Sequence, residues 1–408
     1  MSRPRILQIT ACTFPPEIRV LKEARTLRDA GFEVAVLCPP TQGRPARENW
    51  HGIEIFRPET LAAAASTVDK LLYQASYFSP AWRRAVRQVI ATYRPAVLHV
   101  HDIWLARSVL AARNGQKLVL DLHENMPAAV TEYLKGYRGA QKAFNFLFKP
   151  RARVLRYERA VLKQSDRTLV VVDEAGARVM QEHPELPGDK VVVVENLESK
   201  DFLAAATPEP ATKEAIATVL YIGGFGPHRG IDTLIAAMQH LKAWSVSVRL
   251  DLIGATAGST YVQMLREQVA ALDLASHVNM VEWVPAESVL SYIRTATIGA
   301  VPHHSNPHTD NTIPHKLYQY MIAGTPVLVS TSAPLARTIR AAQAGEVFRA
   351  GDAAHCAHVV RQMLRDRERL RQFGANGRAY VLEQGHNWED ESAPRLVRMY
   401  QALLNGAA

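Results

Sequence analysis

One segment in the last third of the chain limits the possible folds more than any other: residues 310–330, DNTIPHKLYQYMIAGTPVLVS. Apolar side chains recur at helical spacing from residue 315 to 322, Gly324 is a typical helix end, and residues 327–329 have the composition of a buried strand. The segment predicts a loop, a short helix, a tight turn and a strand, which is an αβ unit.

The start of this predicted helix has the properties of an anion site. Pro314 has no N–H, but the N–H groups of residues 315–317 lie in the first turn and are free for a ligand. Lys316 adds an ammonium group beside them. These features outline a phosphate site, and the alternative is an ordinary αβ unit with a solvated lysine.

The motif P-x-K-L-Y-Q-Y-M-x-x-G-x-P-V in this segment resembles the donor-binding segment of retaining glycosyltransferases with two Rossmann domains, the GT-B fold, family 4 (group 1) type. The family usually carries two glutamates eight positions apart, and here both are amides. An amide oxygen still accepts a hydrogen bond from a sugar hydroxyl, but the charge is lost. The resemblance implies donor-binding residues at Asn311, Thr312, Ile313, Lys316, Leu317 and Gln319, of which Asn311 and Gln319 are the two amides.

The length agrees with such a fold, because 408 residues suit two domains of roughly 200 residues each better than one core. We expect an α/β protein with two Rossmann-like, doubly wound domains that face a cleft. The predicted domains are an acceptor-binding domain over 1–205 and a nucleotide-sugar-binding domain over 206–385. Residues 386–408 are expected to form a C-terminal helix that packs back on the N-terminal domain.

The first βαβ unit is predicted from a strand over 5–11, a helix that ends at Gly31, and a strand over 32–37. The loop between the first strand and the helix lies at the ligand edge of a doubly wound sheet, and here it contains no glycine. A subset of the family shares its pattern Pro-Glu-x-Arg-Val-x-Lys-Glu-Ala. We predict that Arg19 faces the acceptor or a phosphate; a solvated helix N-terminus is the alternative.

Two further strands of the first half deliver polar residues to the same edge. The strand over 96–100 leads to His101, which matches the family's strand-end histidine beside the donor sugar and its diphosphate, while His99 is expected to pack inside. The strand over 117–121 leads to His123 and Glu124. These two residues are predicted either to order the acceptor hydroxyl or to cap the following helix.

The second half starts afresh with a strand over 217–222 and the glycine-rich turn GGFGPHRG. This turn resembles the family's Y-x-G-R-x-x-x-x-K-G, which brings two cations to the donor diphosphate. The first cation position is Gly224 here, whereas Arg229 retains the second. Gly223 and Gly224 are expected to bind the donor by letting the backbone approach it, and further donor contacts are expected at Gly254 and at Val284, after Trp283.

The implied reaction is transfer of a sugar from a nucleoside diphosphate to an acceptor hydroxyl with retention of configuration. Departure of the diphosphate limits such a reaction, so fixed positive charge on the leaving group supplies much of the rate. We assign catalytic roles to His101, Arg229 and Lys316. No cofactor and no metal is expected, because His303, His304 and His308 have no accompanying carboxylate or cysteine cluster except Asp310.

The net charge of +9 favours anionic partners, and no nucleic-acid module is evident. Expected partners are a nucleotide-sugar donor and a sugar or lipid-linked acceptor. The segment 133–163 alternates cations with an aromatic cluster, which suits an anionic membrane surface, with core packing as the alternative. The absence of a signal peptide or an 18-residue apolar run, and only three cysteines, predict a cytoplasmic protein, peripheral on the inner face of the cell membrane if this segment binds lipid.

Two other functions compete with a transferase of polysaccharide, glycolipid or glycoconjugate biosynthesis. One is a sugar-nucleotide epimerase of the same architecture, which would act on UDP-N-acetylglucosamine without an acceptor. The other is a non-catalytic subunit whose site decayed when both glutamates became amides. Binding of UDP or GDP would distinguish a functional site from a decayed one.

Overall fold

The computed structural model describes residues 3–136, 139, 150–204 and 216–406. The chain divides into two compact units. The first comprises Met1–Val130, Ala143–Glu195 and Ser392–Ala408, and the second comprises Thr131–Lys142 and Asn196–Glu391. The main change from the first unit to the second therefore falls at residue 195, earlier than the predicted 205.

The first unit has a central sheet with the strand order β3-β4-β2-β1-β5-β6-β7-β8. All neighbouring strands pair in parallel except β3 and β4, which form an antiparallel hairpin at one edge. The strands are β1 Arg5–Ile9, β2 Glu33–Leu37, β3 Arg47–Trp50, β4 Ile53–Phe56, β5 Val97–His101, β6 Lys117–Leu122, β7 Arg167–Val170 and β8 Val191–Val193. Strands β1, β2 and β5 are almost entirely buried, as expected for a parallel sheet that is covered on both faces.

Helices connect these strands. They are α1 Ile18–Asp29, α2 Thr67–Ser76, α3 Pro80–Tyr93, α4 Ala106–Leu110, α5 Met126–Tyr133, α6 Arg151–Gln164 and α7 Asp173–Glu182. Helices α2 and α3 are separate, although only residues 77–79 lie between them. Helix α2 ends at Tyr77 in the left-handed conformation, and α3 begins with Pro80 in its first turn after the Ser79 cap.

The second unit has a fully parallel sheet with the order β11-β10-β9-β12-β13-β14. Its strands are β9 Ala217–Ile222, β10 Val248–Ala255, β11 Val278–Glu282, β12 Ile298–Val301, β13 Val327–Ser330 and β14 Gly345–Phe348. Its helices are α8 Ile231–Ala243, α9 Thr260–Ala271, α10 Val289–Thr295, α11 His315–Ile322, α12 Ala333–Ala342, α13 Ala353–Arg365 and α14 Arg367–Leu382. The chain runs outward from β9 through β10 to β11 and then returns to β12 on the other side. The carboxyl ends of β9 and β12 thus flank the topological switch point, where α/β sheets bind ligands.

The last helix, α15 (Ala393–Asn405), belongs to the first unit. It buries Leu396, Met399, Tyr400 and Leu403. The Tyr400 hydroxyl lies 2.7 Å from Nδ1 of His99 in β5. The predicted return of the C-terminal helix to the N-terminal domain is confirmed.

Two predicted features lie partly outside the described residues. One is the predicted domain boundary between residues 205 and 206, because residues 205–215 are not described. The other is the basic aromatic segment, including Arg138, Lys142, Phe144, Phe146, Leu147, Phe148 and Lys149. Within the described ranges, no helix combines the length and the apolar character that crossing a bilayer requires.

Candidate active site

The site of the second unit is built where β9, β10 and β12 end and where α11 begins. Helix α11 is fixed to the sheet by Tyr320, whose hydroxyl donates to the Leu220 carbonyl at 3.1 Å and accepts from the Ile222 N–H at 3.2 Å. Gly299 of β12 leaves room for this ring, because a Cβ there would lie 2.5 Å from Tyr320 Cγ. This anchoring holds the first turn of α11, with Lys316, beside the carboxyl end of β9.

Lys316 is 7% exposed, and its ammonium lies 3.6 Å from the centre of the Tyr221 ring. Its Nζ has no hydrogen-bond partner among the described residues. Burial, followed by the nearby Arg229, holds the pKa of Lys316 well below its usual range. A Cβ on Gly223, whose φ is +125°, would come within 2.8 Å of Nζ, so only glycine leaves space for this ammonium.

Arg229 lies in the short turn Pro227–Arg229 between β9 and α8, and it is partly exposed. It also affects its surroundings electrostatically. Burial and then Arg229 lower the pKa of His228 to about 2, and the same two causes hold the pKa of His303 well below its usual value. Arg229, Lys316 and two buried neutral imidazoles are therefore gathered around one point of the sheet edge.

Gly224 and Gly254 lie beside this point. Gly254 lies near the carboxyl end of β10, and a Cβ there would lie 2.5 Å from the Gly223 carbonyl oxygen. Gly224 faces Trp283, which is 64% exposed and donates from Nε1 to the Thr256 hydroxyl at 3.4 Å. Val284, which follows Trp283, is partly exposed. A pocket of about 480 Å³ adjoins this region and is lined by residues 256–260, Val262, Gln263, Arg266 and Glu282.

Of the remaining predicted donor residues, the two amides have internal partners. Asn311 is 9% exposed and donates to the Pro307 carbonyl at 2.7 Å. Ile313 and Leu317 are fully buried, and Thr312 is extended and partly exposed. Gln319 donates to the Glu198 carboxylate at 2.8 Å, so a buried acid from a distant part of the sequence lies against the amide that replaces a family glutamate.

In the first unit the structure differs from the prediction for Arg19. Its guanidinium is 3% exposed and makes a bidentate ion pair with Asp121, with both N–O distances at 2.8 Å. It also contacts Glu23 at 3.1 Å and donates to the Val194 carbonyl at 3.0 Å. Arg19 is thus an internal cation that holds α1 against the sheet, and not the ligand-facing group that the loop position predicted.

His101 lies at the end of β5, where the sequence predicted it. Its Nδ1 is 3.2 Å from Asp121 Oδ2 and from His123 Nε2, and its ring stacks on His99 at 4.4 Å. Its Nε2 is buried without a hydrogen-bond partner among the described residues. Burial and then His99 hold the pKa of His101 well below its usual value, so this imidazole is neutral.

His123 has the opposite charge state. Burial alone would lower its pKa, but the carboxylates of Asp102 and Asp121 raise it to about 10. Its Nε2 lies 2.8 Å from Asp121 Oδ2. His123 is therefore an imidazolium at neutral pH, and the next residue, Glu124, is partly exposed in the turn before α5.

Metal-ligating side chains do come together in the first unit: Glu23, His99, His101 and Asp121 offer ligand atoms within 4.8 Å of one another. Arg19, however, already lies against both carboxylates. A divalent cation would be repelled by this guanidinium, so the cluster fits an internal ion-pair network better than a metal centre. In the described parts of the chain, His303, His304 and His308 do not join a carboxylate in such a group, and His304 instead pairs with Asp232 at 3.0 Å.

Two family models match consecutive parts of the chain. "Glycosyltransferase Family 4" matches residues 16–197, and "Glycosyl transferases group 1" matches residues 206–380. The chain belongs to the group 1 family of GT-B glycosyltransferases.

Similar proteins cover nearly the whole length of this glycosyltransferase. The phosphatidyl-myo-inositol mannosyltransferase of Mycolicibacterium smegmatis is 25% identical over 94% of this chain and 89% of its own. Sucrose-phosphate synthase from Thermosynechococcus elongatus matches with a TM-score of 0.80 at 19% identity, over 99% of this chain and 100% of its own. Anabaena HepE in complex with UDP-glucose matches with a TM-score of 0.69 at 13% identity, over 98% and 99%.

Three residues that organise the two sites of this glycosyltransferase were not predicted as site residues: Asp121, Glu23 and Glu198. Asp121 was predicted only as the end of a strand, although its carboxylate contacts the side chains of Arg19, His101 and His123. A signal for it was available, because an acid two positions before a strand-end histidine is well placed to hold that ring. No comparable signal marks Glu198, which lies 121 residues before Gln319.

Proposed function

We propose that this glycosyltransferase moves a sugar from a nucleoside diphosphate donor to an acceptor hydroxyl with retention of configuration. The observation that carries the proposal is Lys316, a 7% exposed ammonium without a hydrogen-bond partner in the described structure, placed with Arg229 at the switch point of a parallel sheet. A buried charge of this kind is stabilised when an anion binds. The UDP-glucose complex of Anabaena HepE supports a nucleotide sugar as that anion.

The chemistry follows from charge. As the bond between the anomeric carbon and the diphosphate breaks, negative charge grows on the leaving group, and fixed cations stabilise this charge more than they stabilise the substrate. Lys316, Arg229 and the N–H groups of residues 315 and 316 supply this stabilisation without a metal ion. The Leu317 N–H, which was also predicted to be free, instead donates to the Pro314 carbonyl at 3.1 Å. In the retaining route the departing phosphate itself takes the acceptor proton, so no protein nucleophile is required.

The proposed roles in the first unit agree with the charge states found there. His101 is neutral and has one buried nitrogen without a partner, which suits a hydrogen bond to a sugar hydroxyl. His123 is an imidazolium and Glu124 is partly exposed, and both are proposed to bind the acceptor. Arg19 is removed from the acceptor set, because its guanidinium is already held by Asp121, Glu23 and Val194.

The acceptor is proposed to be a sugar or a lipid-linked polyol, with phosphatidylinositol as the first candidate because the M. smegmatis relative is named for it. The excess of 48 lysines and arginines over 39 acids supports contact with an anionic membrane. In the described part of the basic segment, Arg153 donates to the Gln74 carbonyl at 2.8 Å and lies 4.6 Å from the Tyr77 ring. This arginine is therefore used internally, and membrane contact is assigned to the other cations of the segment.

Calorimetric titration with UDP and GDP tests the site, and we expect one of the two to bind. A panel of UDP- and GDP-sugars, beginning with mannose donors and phosphatidylinositol vesicles, then tests transfer, and the anomeric configuration of the product, read by NMR, tests retention. Failure to bind either nucleotide would remove the donor proposal. Release of an altered free sugar without an acceptor would instead support the epimerase.

A further inference from the structure

Two buried histidines of the second unit have no role in the reaction described so far. His228 precedes Arg229 in the turn after β9 and is 5% exposed, and His303 follows β12 and is 1% exposed. Both ring nitrogens of each histidine lack a hydrogen-bond partner among the described residues. An imidazole always carries at least one N–H, and leaving a buried donor unpaired costs ~1–3 kcal/mol. A site that gathers two such rings is suited to a ligand that accepts hydrogen bonds.

The neighbours of these rings indicate that this ligand is an anion. Arg229 and Lys316 are among the charges that lower the pKa of both histidines, after burial itself. Both rings are therefore neutral in the free protein. A third and a fourth positive charge here would be repelled by the two cations, whereas neutral N–H donors can be packed beside them without that cost.

The two segments that carry the histidines are clamped together. The His304 N–H donates to the His228 carbonyl at 3.1 Å. A Cβ on Gly230 would lie 2.0 Å from the Pro302 carbonyl oxygen, so the turn after β9 packs directly on the chain that leaves β12. His228 is also held edge-on by His308 and Tyr133, with ring centres 4.9 and 5.5 Å away. The His228 ring and both backbone segments are thus held in place without a ligand, which reduces the entropy that binding must lose.

On the basis of the proposed function, we propose that His228 and His303 are neutral hydrogen-bond donors to the diphosphate of the nucleotide sugar. They take the place of the cation that is missing at Gly224. The diphosphate then meets two cations, Arg229 and Lys316, and two uncharged donors, rather than three cations in one buried site.

Calorimetric titration with UDP, GDP and the corresponding nucleosides tests this proposal. In His228→Phe and His303→Phe the ring remains and both nitrogens are lost, whereas the Asn and Gln variants keep an N–H donor and lose the ring. We expect each Phe variant to bind the nucleoside diphosphate ~10- to 100-fold more weakly, the scale of a hydrogen bond to a charged group. At least one amide at each position should restore most of that loss, and nucleoside binding should not change.

His358→Asn is the matched control, because His358 is an exposed histidine on α13 of the same unit. A second measurement needs no variant: the ¹⁵N spectrum of the histidine rings in the wild-type protein saturated with UDP or GDP. We expect two neutral imidazoles whose N–H protons become protected from exchange with water.

Several outcomes would overturn the proposal. Phe variants that bind the diphosphate as the wild type does, or amide variants that bind no better than Phe, would reduce the two histidines to packing residues. Equal losses for nucleosides and nucleoside diphosphates would do the same. If the wild-type protein binds neither UDP nor GDP, the proposed function itself fails; if it binds one of them and the Phe variants do too, only this inference fails.

Discussion

Lys316 lies where an ammonium group is unfavourable for the free protein but would be favourable in the proposed complex with a nucleoside diphosphate. Its ammonium is buried and lies beside Arg229, and in the described structure it has no hydrogen-bond partner. The effects of this residue on the free energy of unfolding and on ligand affinity can be measured separately.

We expect Lys316→Met to raise the free energy of unfolding by about 1–3 kcal/mol, because an apolar side chain of similar length replaces a buried charge. The same variant should lose binding of the nucleoside diphosphate. Urea denaturation and calorimetry measure the two effects. Lys242→Met, which removes an exposed partner of Asp273, is the control and should neither raise the free energy of unfolding nor weaken binding. A less stable Lys316→Met protein would show that the ammonium has a stabilising partner in solution.

The two cations are expected to act on the rate as well. Lys316→Ala and Arg229→Ala should each lower turnover by roughly a hundredfold or more, the scale for losing one group that stabilises developing charge. Steady-state transfer assays at saturating donor provide the measurement, with Arg349→Ala, an exposed arginine paired with Asp352, as the control. Near-normal turnover in both variants would remove these residues from the mechanism.

His123 links charge to stability in the first unit. Its pKa in the folded protein, about 10, lies above the value of about 6.5 for an unfolded chain, so its ion pairs stabilise the protein fully below pH 6.5 and lose this effect as the pH rises through 10. We expect His123→Gln to be less stable than the wild type at neutral pH, and the difference should shrink toward pH 10. Denaturation series at several pH values test this. A difference that does not depend on pH would mean that the ring, and not its charge, matters.

For single residues, the sequence predicted where a side chain lies in the fold better than it predicted which residues that side chain contacts. Lys316 and His101 were found because a strand end and a helix start define the ligand edge of a sheet. The partner of Arg19 was not predictable, because Asp121 lies 102 residues further along the chain. The contact between Gln319 and Glu198 was not predictable for the same reason, because these residues are also far apart in the sequence.

Among the elements, helix α11 is the one on which the proposed donor site depends, and Tyr320 anchors this helix to the sheet. Tyr320→Phe removes the hydroxyl and leaves the Ile222 N–H and the Leu220 carbonyl without this partner. We expect a loss of about 1–3 kcal/mol in the free energy of unfolding. Because α11 also carries Lys316, affinity for the nucleoside diphosphate should fall too. Unchanged affinity would indicate that packing alone positions the helix, and Tyr292→Phe on α10 is the control.

The predicted bounds of α11, 315–322, agree with the structure because a proline at one end and a glycine at the other mark its limits in the sequence itself. Strands β1, β2, β5 and β6 were also predicted, since each is a short segment dominated by Val, Leu and Ile. The hairpin β3–β4 was missed. Strand β3, RENW, lies at the sheet edge, and its four residues are partly or fully exposed, so no apolar pattern marks it.

For the whole molecule, the division into two units predicts that stability and donor binding can be changed separately. Leu396 of α15 is fully buried in the first unit, whereas every predicted donor-binding residue lies in the second. Leu396→Ala should cost about 2–5 kcal/mol of unfolding free energy and leave affinity for UDP or GDP within about twofold. Leu317→Ala, which leaves a cavity beside Lys316, should lower both the free energy of unfolding and the affinity for UDP or GDP. A large loss of affinity in Leu396→Ala would contradict this independence.

The return of α15 to the first unit also has a consequence for how the protein is made. Residues 392–408 complete a core whose other parts were synthesised before residue 196. On the ribosome, the second unit can fold as soon as its own residues have emerged, but the first must wait for the last helix. Until α15 has been synthesised, His99 lacks Tyr400 and the apolar surface under α15 stays open, so the nascent N-terminal half is the part of this protein on which chaperones are expected to act.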